Sequence, residues 1–313
     1  ILMPPTEPLP DRLANPWAKY FLATRPAFLS VTFVGSLMGL ATAFADGVPT
    51  DFLKAGLTVF FALVAHAGAN VVNDYYDALN GSDAANEERI FPFTGGSRFI
   101  QNGVLSLRAT GRLGYLLLAS VIPAGVWLAA RSTPELILVG LAGLIVGWAY
   151  SAPPLQLASR GLGEIAVVCG WTLIVIGTDL VQRGRFAFAP LAAGLAFALL
   201  VANLLYINQF PDVRADARAG KRTVVVRLGV ARARWGYGVL AVLAALWIIG
   251  CVVARALPPL ALLSLLPLTF SAGALRRLWR CADRPAQLRP AIRLTILAVL
   301  AHALLLSLVL ALR

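Results

Sequence analysis

Two runs of the chain gather Asn and Asp side chains at helical spacings. In the first, Asn70, Asn73, Asp74 and Asp77 stand three and four residues apart, with Gly81 and Asp83 just beyond. Such spacings bring side chains onto one stripe of a helix. Carboxylates crowded on a stripe repel one another unless a cation sits among them. Oxygen donors without histidine or thiolate suit magnesium, which keeps several waters and shares its remaining positions with substrate phosphates. In the second run Asn208, Asp212 and Asp216 recur every four residues and lead into Gly220, Lys221, Arg222 and Thr223. Pro211 lacks a backbone donor, so the helix is expected to bend or stop near it.

Either run alone reads equally well as a solvated helix end, where Asn and Asp serve in turns and caps. The pair does not. An Asn followed four residues later by Asp occurs in both, at Asn73 with Asp77 and at Asn208 with Asp212, and basic residues follow each. A diphosphate needs metal on some oxygens and direct cationic donors on others. Arg89, Arg98, Lys221 and Arg222 are placed to be those donors.

The elements that must carry these runs are membrane-spanning helices. Of 313 residues, 59% are hydrophobic and 13% charged, with a mean hydropathy of +0.77. A water-soluble domain does not need that apolar excess. Stretches long enough for about 20 helical residues run near 26–45, 52–78, 110–130, 134–151, 162–181, 187–209, 235–254, 258–275 and 291–312. The expected fold is all-α, a polytopic bundle of nine transmembrane helices around a central cavity. Residues 1–25, with Pro4, Pro5, Pro8 and Pro10, read as a polar lead-in, and residues 26–313 as one membrane domain. The two acidic runs end the second and sixth spans, at one membrane level.

Charge sorts by face. Lys54, Arg131, Arg183, Arg185, Arg255 and Arg313 fall on one side of the nine spans, and every other Lys and Arg falls on the other. Basic residues are retained on the cytoplasmic side, which puts the amino terminus and both acidic runs in the cytoplasm of a plasma (inner) membrane protein. Anionic lipid and a polyanionic substrate account for the net charge of +12, and no nucleic-acid partner is expected. An ion or solute transporter would place ionisable groups near the midplane, where this chain has almost none. Cys169, Cys251 and Cys281 show no CxxC spacing, which suggests neither a disulfide framework nor a thiolate metal site.

These motifs resemble the UbiA superfamily of intramembrane aromatic prenyltransferases. Asn73-Asp74-Tyr-Tyr-Asp77 with Gly81 and Asp83, and Asp212 through Asp216 with Gly220-Lys221-Arg222-Thr223, are similar to that family's paired aspartate-rich signatures. Tyr150-Ser151-Ala-Pro153-Pro154 is similar to its connection after the fourth span. Phe93-Thr94-Gly95-Gly96-Ser97-Arg98 with Gln101 and Gly103, and Asn208-Gln209-Phe-Pro211-Asp212, resemble the menaquinone-pathway branch, the 1,4-dihydroxy-2-naphthoate prenyltransferases. Gln209 departs from that pattern, where an acidic residue is expected.

The resemblance implies magnesium-dependent transfer of a polyprenyl group from its diphosphate to an aromatic acceptor, with dihydroxynaphthoate ahead of hydroxybenzoate or homogentisate. It assigns Asp74, Asp77, Asp83, Asp212 and Asp216 to metal, with Asp77, Asp212 and Asp216 also catalytic. Arg25, Asn70, Asn73, Arg98, Tyr150, Ser151, Asn208, Lys221 and Arg222 are assigned to substrate. The partners expected are a polyprenyl diphosphate, the aromatic acceptor and membrane lipid. Asn203 and Tyr206 are expected to line the cavity above the second motif. His66 is expected to be a packing residue, and Trp127, Trp148, Trp171 and Trp247 packing or interface residues.

Overall fold

The computed structural model of the protein describes residues 6–13 and 15–313, so Pro4 and Pro5 of the lead-in lie outside the described residues. After a 3-10 turn at Pro10–Arg12 comes a short helix α1 (Pro16–Ala23), capped by the Asn15 side chain, which accepts from Trp17 N at 2.9 Å. There follow α2 (Pro26–Ala45), α3 (Phe52–Asn80), α4 (Leu107–Arg131), α5 (Leu136–Ala149), α6 (Gly163–Arg183) and α7 (Ala189–Arg218). The one-turn α8 (Val224–Leu228), α9 (Val230–Val253), α10 (Leu268–Cys281) and α11 (Arg289–Ala311) complete it. No strand occurs among the described residues.

Eight segments are long and apolar enough to cross a membrane, one of them α10 together with the 3-10 helix Pro259–Leu265 before it. The fourth expected span, α5, has 14 residues. At about 1.5 Å per residue it reaches some two thirds of a hydrocarbon core of about 30 Å. The expected nine are therefore eight full-length segments and one short helix.

The centre of the bundle is α7, which packs against α2, α6, α9 and α11. Ala192, Ala193, Gly194, Ala196, Ala198 and Ala202 are buried along it, and small side chains let neighbouring backbones approach closely, which is the main source of attraction between helices in lipid. By contrast, Leu138, Leu141 and Ile145 of α5, and Val239, Val242 and Leu246 of α9, are exposed, the apolar surface that lipid solvates.

Pro211 does not stop α7. The helix continues through it to Arg218. Proline removes one backbone donor, but α7 is packed on several sides and Pro211 itself is buried, so tertiary contact outweighs local propensity.

Candidate active site

The amino-terminal end of α2 and the carboxyl-terminal ends of α3 and α7 meet at the level of the two acidic runs. On α3 the stripe expected from the spacing forms. Asn73 Nδ2 donates to Asp77 Oδ2 and to Ser151 Oγ, both at 3.0 Å. Asn70 Nδ2 donates to the Thr24 carbonyl at 3.1 Å, tying α3 to the turn before α2. In that turn Arg25 adopts a left-handed backbone (φ 56°) and pairs with Asp74. Asp74 is buried and also accepts from Ser97 N at 3.3 Å.

On α7, Asn208, Asp212 and Asp216 share the face turned to α3. Gly220, at φ 76°, reverses the chain just after the helix, in a left-handed conformation that costs glycine little. Lys221 N then donates to the Asp216 carbonyl at 2.8 Å. The reversal aims Lys221 back over the acidic face, with Nζ 3.1 and 3.2 Å from the Asp77 oxygens and 3.3 Å from Asp216 Oδ1. Burial works against the Lys221 charge, yet Asp77 and Asp216 hold its ammonium above the usual lysine range.

The segment between α3 and α4 closes the site from above. Asn86 Nδ2 donates to Asp212 Oδ1 at 2.6 Å. Gly96, at φ 73°, lies so close to the Asp83 carboxylate that a Cβ there would collide with it. Burial, with Asp77 and Asp74 nearby, pushes the Asp83 carboxyl well above its ordinary value.

Together these residues line a polar pocket of about 140 Å³ that holds Asp77, Asp83, Asp212, Asp216, Arg25 and Lys221. Beneath it lies a mostly apolar cavity of about 380 Å³, running between α2, α3, α5 and α6 to Leu136, Thr178 and Val181 at the far end of the bundle. Arg25, Asn73, Phe93, Tyr150, Leu205 and Asn208 line both. The two spaces therefore adjoin across shared walls.

The donor set fits magnesium. Asp83 Oδ2, Asn86 Oδ1 and Asn208 Oδ1 are buried without a hydrogen-bond partner, and the pocket contains neither histidine nor cysteine. No group of three or more His, Cys, Asp or Glu converges tightly enough to hold a metal by itself among the described residues. Oxygen donors of this kind are those that magnesium takes alongside water and substrate phosphate.

Several expected residues are placed elsewhere. Asp74 does not line the polar pocket and is engaged by Arg25 and Ser97, so its geometry is that of a residue orienting Arg25. Arg98 does not line it either; its guanidinium bonds the Asp83 carbonyl and faces Glu7. Arg89 pairs with Glu7 at 2.7 Å. Arg222 is exposed, with its backbone N bonded to the Ser159 carbonyl at 2.7 Å. Asn203 and Tyr206 are buried on the opposite face of α7 from Leu204, Leu205 and Asn208, with Tyr206 donating to the Ala233 carbonyl at 2.7 Å. Helical rotation decides this, because 201, 204, 205 and 208 form one stripe and 203 and 206 another. Trp171 lines the apolar cavity and meets His66 edge-on at 5.1 Å, while His66 also bonds Thr32 at 2.8 Å. Trp247 packs, donating to the Ala192 carbonyl.

The sequence profile described as the UbiA prenyltransferase family matches residues 29–311. The chain belongs to that family. Two relatives are 1,4-dihydroxy-2-naphthoate octaprenyltransferases. The one from Mycobacterium tuberculosis is 33% identical over 80% of this chain and 82% of its own length. The one from Escherichia coli is 31% identical over 67% and 68%. Among solved structures, an apo UbiA homologue from Aeropyrum pernix matches with a TM-score of 0.65 at 18% identity, covering 88% of this chain and 96% of its own. A UbiA homologue from Archaeoglobus fulgidus, bound to DMAPP and Mg2+, matches at 0.64 and 18%, covering 92% and 99%.

As a UbiA family member the chain has a physical reason for its departure at Gln209. The side-chain amide donates to Glu164 Oε1 at 2.5 Å and accepts from Val225 N at 3.3 Å. A carboxylate at 209 would face Glu164 with like charge. Asn86 was not singled out by sequence, since a lone Asn in a loop carries no periodic signal. Gly95 and Gly96, inside the quoted glycine-containing run, were visible but without a role.

Proposed function

We propose that this UbiA prenyltransferase transfers a polyprenyl group from its diphosphate to 1,4-dihydroxy-2-naphthoate, at the cytoplasmic end of a plasma membrane bundle. The observation that carries the reading is a small polar pocket, lined by both acidic motifs, set directly against a long apolar cavity. A polyprenyl diphosphate has that same division into a charged head and an apolar tail. The two octaprenyltransferase relatives support the acceptor, and the one-sided basic residues support the orientation.

In this reading Asp77, Asp83, Asp212 and Asp216 hold magnesium, which when bound supplies positive charge to the leaving diphosphate. Arg25 and Lys221 donate directly to phosphate oxygens, and Asn73 and Asn208 orient the head group. The allylic carbon to oxygen bond breaks and its electron pair leaves with the diphosphate. Phe93, Tyr150 and Trp171 line the cavity where the cation forms and supply aromatic rings that can stabilise it, and the apolar walls keep water from it. The ring carbon bearing the carboxylate attacks, and loss of carbon dioxide restores aromaticity.

The test incubates purified protein with magnesium, a labelled polyprenyl diphosphate and a panel of acceptors, with products identified by mass. Dihydroxynaphthoate is expected to be prenylated with release of carbon dioxide. Equal or better turnover of hydroxybenzoate would overturn the acceptor.

A further inference from the structure

We infer that Glu7 is a positioning residue for the diphosphate site, acting through Arg89 and Arg98 on the segment between α3 and α4. The inference rests on the diphosphate reading of the polar pocket. Glu7 lies outside the stretch that matches the family, residues 29–311.

Its carboxylate is a hub. Arg89 Nε donates to Oε1 at 2.7 Å, Asn102 Nδ2 donates to Oε2 at 3.2 Å, and Arg98 Nε lies 3.9 Å from Oε2. Neither arginine ends its contacts there. Arg89 Nη1 donates to the Asn86 carbonyl at 2.6 Å, and the Asn86 side chain in turn bonds Asp212. Arg98 Nη1 donates to the Asp83 carbonyl. Asn86 and Asp83 both line the polar pocket. One carboxylate therefore anchors two cations, and each cation holds the backbone of a pocket residue.

The segment needs such an anchor because it contains turns and no long helix between Gly81 and Ser106. Elsewhere it is held by the burial of Ile90 in the core, by the Arg214–Glu88 pair and by the Ser97–Asp74 bond, and in its later half by Leu13, Leu22 and Ala23 packing with Phe99, Val104 and Leu105. The carbonyls of Asp83 and Asn86, in its first part, are the groups that Arg98 and Arg89 hold. Without the carboxylate, Arg89 would lose its ion-pair partner and the two guanidinium groups would repel one another with only Asp83 and Asp74 left as counter-charges near Arg98. The arrangement competent for the diphosphate would be populated less, and apparent affinity falls by the same fraction. Saturating donor restores that arrangement, so the effect belongs in KM rather than kcat.

The experiment measures donor KM and kcat with geranyl diphosphate at fixed magnesium for the full chain, Glu7→Gln, Arg89→Gln, the double variant and Asp212→Asn, with thermal midpoints for each. Glu7→Gln is expected to raise donor KM by about 5- to 10-fold with kcat held within about twofold. The double variant is expected to cost no more than the larger single loss, since both residues act along one chain of bonds. An unchanged or lowered KM for Glu7→Gln, an equal fall in kcat, or losses that multiply would each overturn the inference. If those results came while Asp212→Asn abolished turnover, only the role of Glu7 would fall. If Asp212→Asn also left turnover intact, the diphosphate reading would fall with it.

Discussion

The Lys221 ammonium stands 3.1 Å from Asp77 Oδ1 and 3.3 Å from Asp216 Oδ1, so one cation ties the first acidic motif to the second. It occupies oxygens that magnesium would also use. Lys221→Met keeps length and removes charge, and its two effects should run in opposite directions. Donor KM should rise roughly tenfold or more, as for loss of a charge-assisted bond of about 1.5–3 kcal/mol. The magnesium concentration for half activation should fall, because no ammonium competes for the carboxylates. A magnesium titration at several donor concentrations separates the two, and a rise in magnesium demand would contradict this geometry.

Arg222, next in the chain, makes the contrast. Its side chain is exposed and does not line the polar pocket, so Arg222→Ala should leave donor KM and kcat within about twofold, as for an exposed substitution. A loss comparable to that of Lys221→Met would return Arg222 to the phosphate donors.

What was legible in the sequence was periodic. The stripe of Asn70, Asn73, Asp74 and Asp77 and the repeat of Asn208, Asp212 and Asp216 follow from helical geometry alone; Asn73, Asp77 and all three of the repeat line the polar pocket, Asn70 lines the apolar cavity, and Asp74 turns to Arg25. Irregular segments and long side chains were not legible. Arg98 and Arg222 lie beside the motifs in sequence, but an arginine reaches several ångströms in any direction its neighbours allow, and here Glu7 and solvent take them. Glu7 itself sits 70 residues before Asp77, the first carboxylate of the pocket in sequence, with no pattern to link them. Pro211 does not stop the helix because packing overrides its local preference. A central cavity was expected, but its lining was hidden, since a residue facing lipid and one facing a cavity read alike.

The orientation rests on charge and can be read directly. In a background without Cys169, Cys251 and Cys281, cysteine at Ala84 or Ala217, both exposed, should react with an impermeant thiol reagent only from the cytoplasmic side. Labelling of intact cells from outside would invert the bundle.

At the opposite end, Arg183 bonds both Asp179 oxygens at 2.7 Å and reaches Asp46 at 2.7 Å, while Thr42 donates to Asp179 Oδ2 at 2.9 Å. The cluster locks α2 to α6. Asp179 and Arg183 side chains are only 1% and 4% exposed, so Asp179→Ala removes one of the two carboxylates that pair Arg183, leaving Asp46, at a cost of about 1.5–3 kcal/mol. The thermal midpoint should fall markedly while donor KM stays near wild type. A change in KM without loss of stability would instead connect this cluster to the site.

The two-motif arrangement makes the strictest demand. Asp77 and Asp212 lie on different helices, and each lines the same pocket. Replacing either by Asn preserves size and most hydrogen bonding but removes one charged ligand. Each single replacement should therefore lower kcat by roughly 10² or more, the usual scale for losing electrostatic stabilisation of a leaving group. Added magnesium should recover part of the loss, because the remaining carboxylates still bind it more weakly. Since both residues act on one diphosphate, the double replacement should cost less than the product of the single losses, as for groups that work as a unit. Single-turnover rates across a magnesium series measure all three quantities. If Asp212→Asn kept near-full activity at unchanged magnesium demand while Asp77→Asn did not, the second motif would be a helix end that packs against the site without taking part in it.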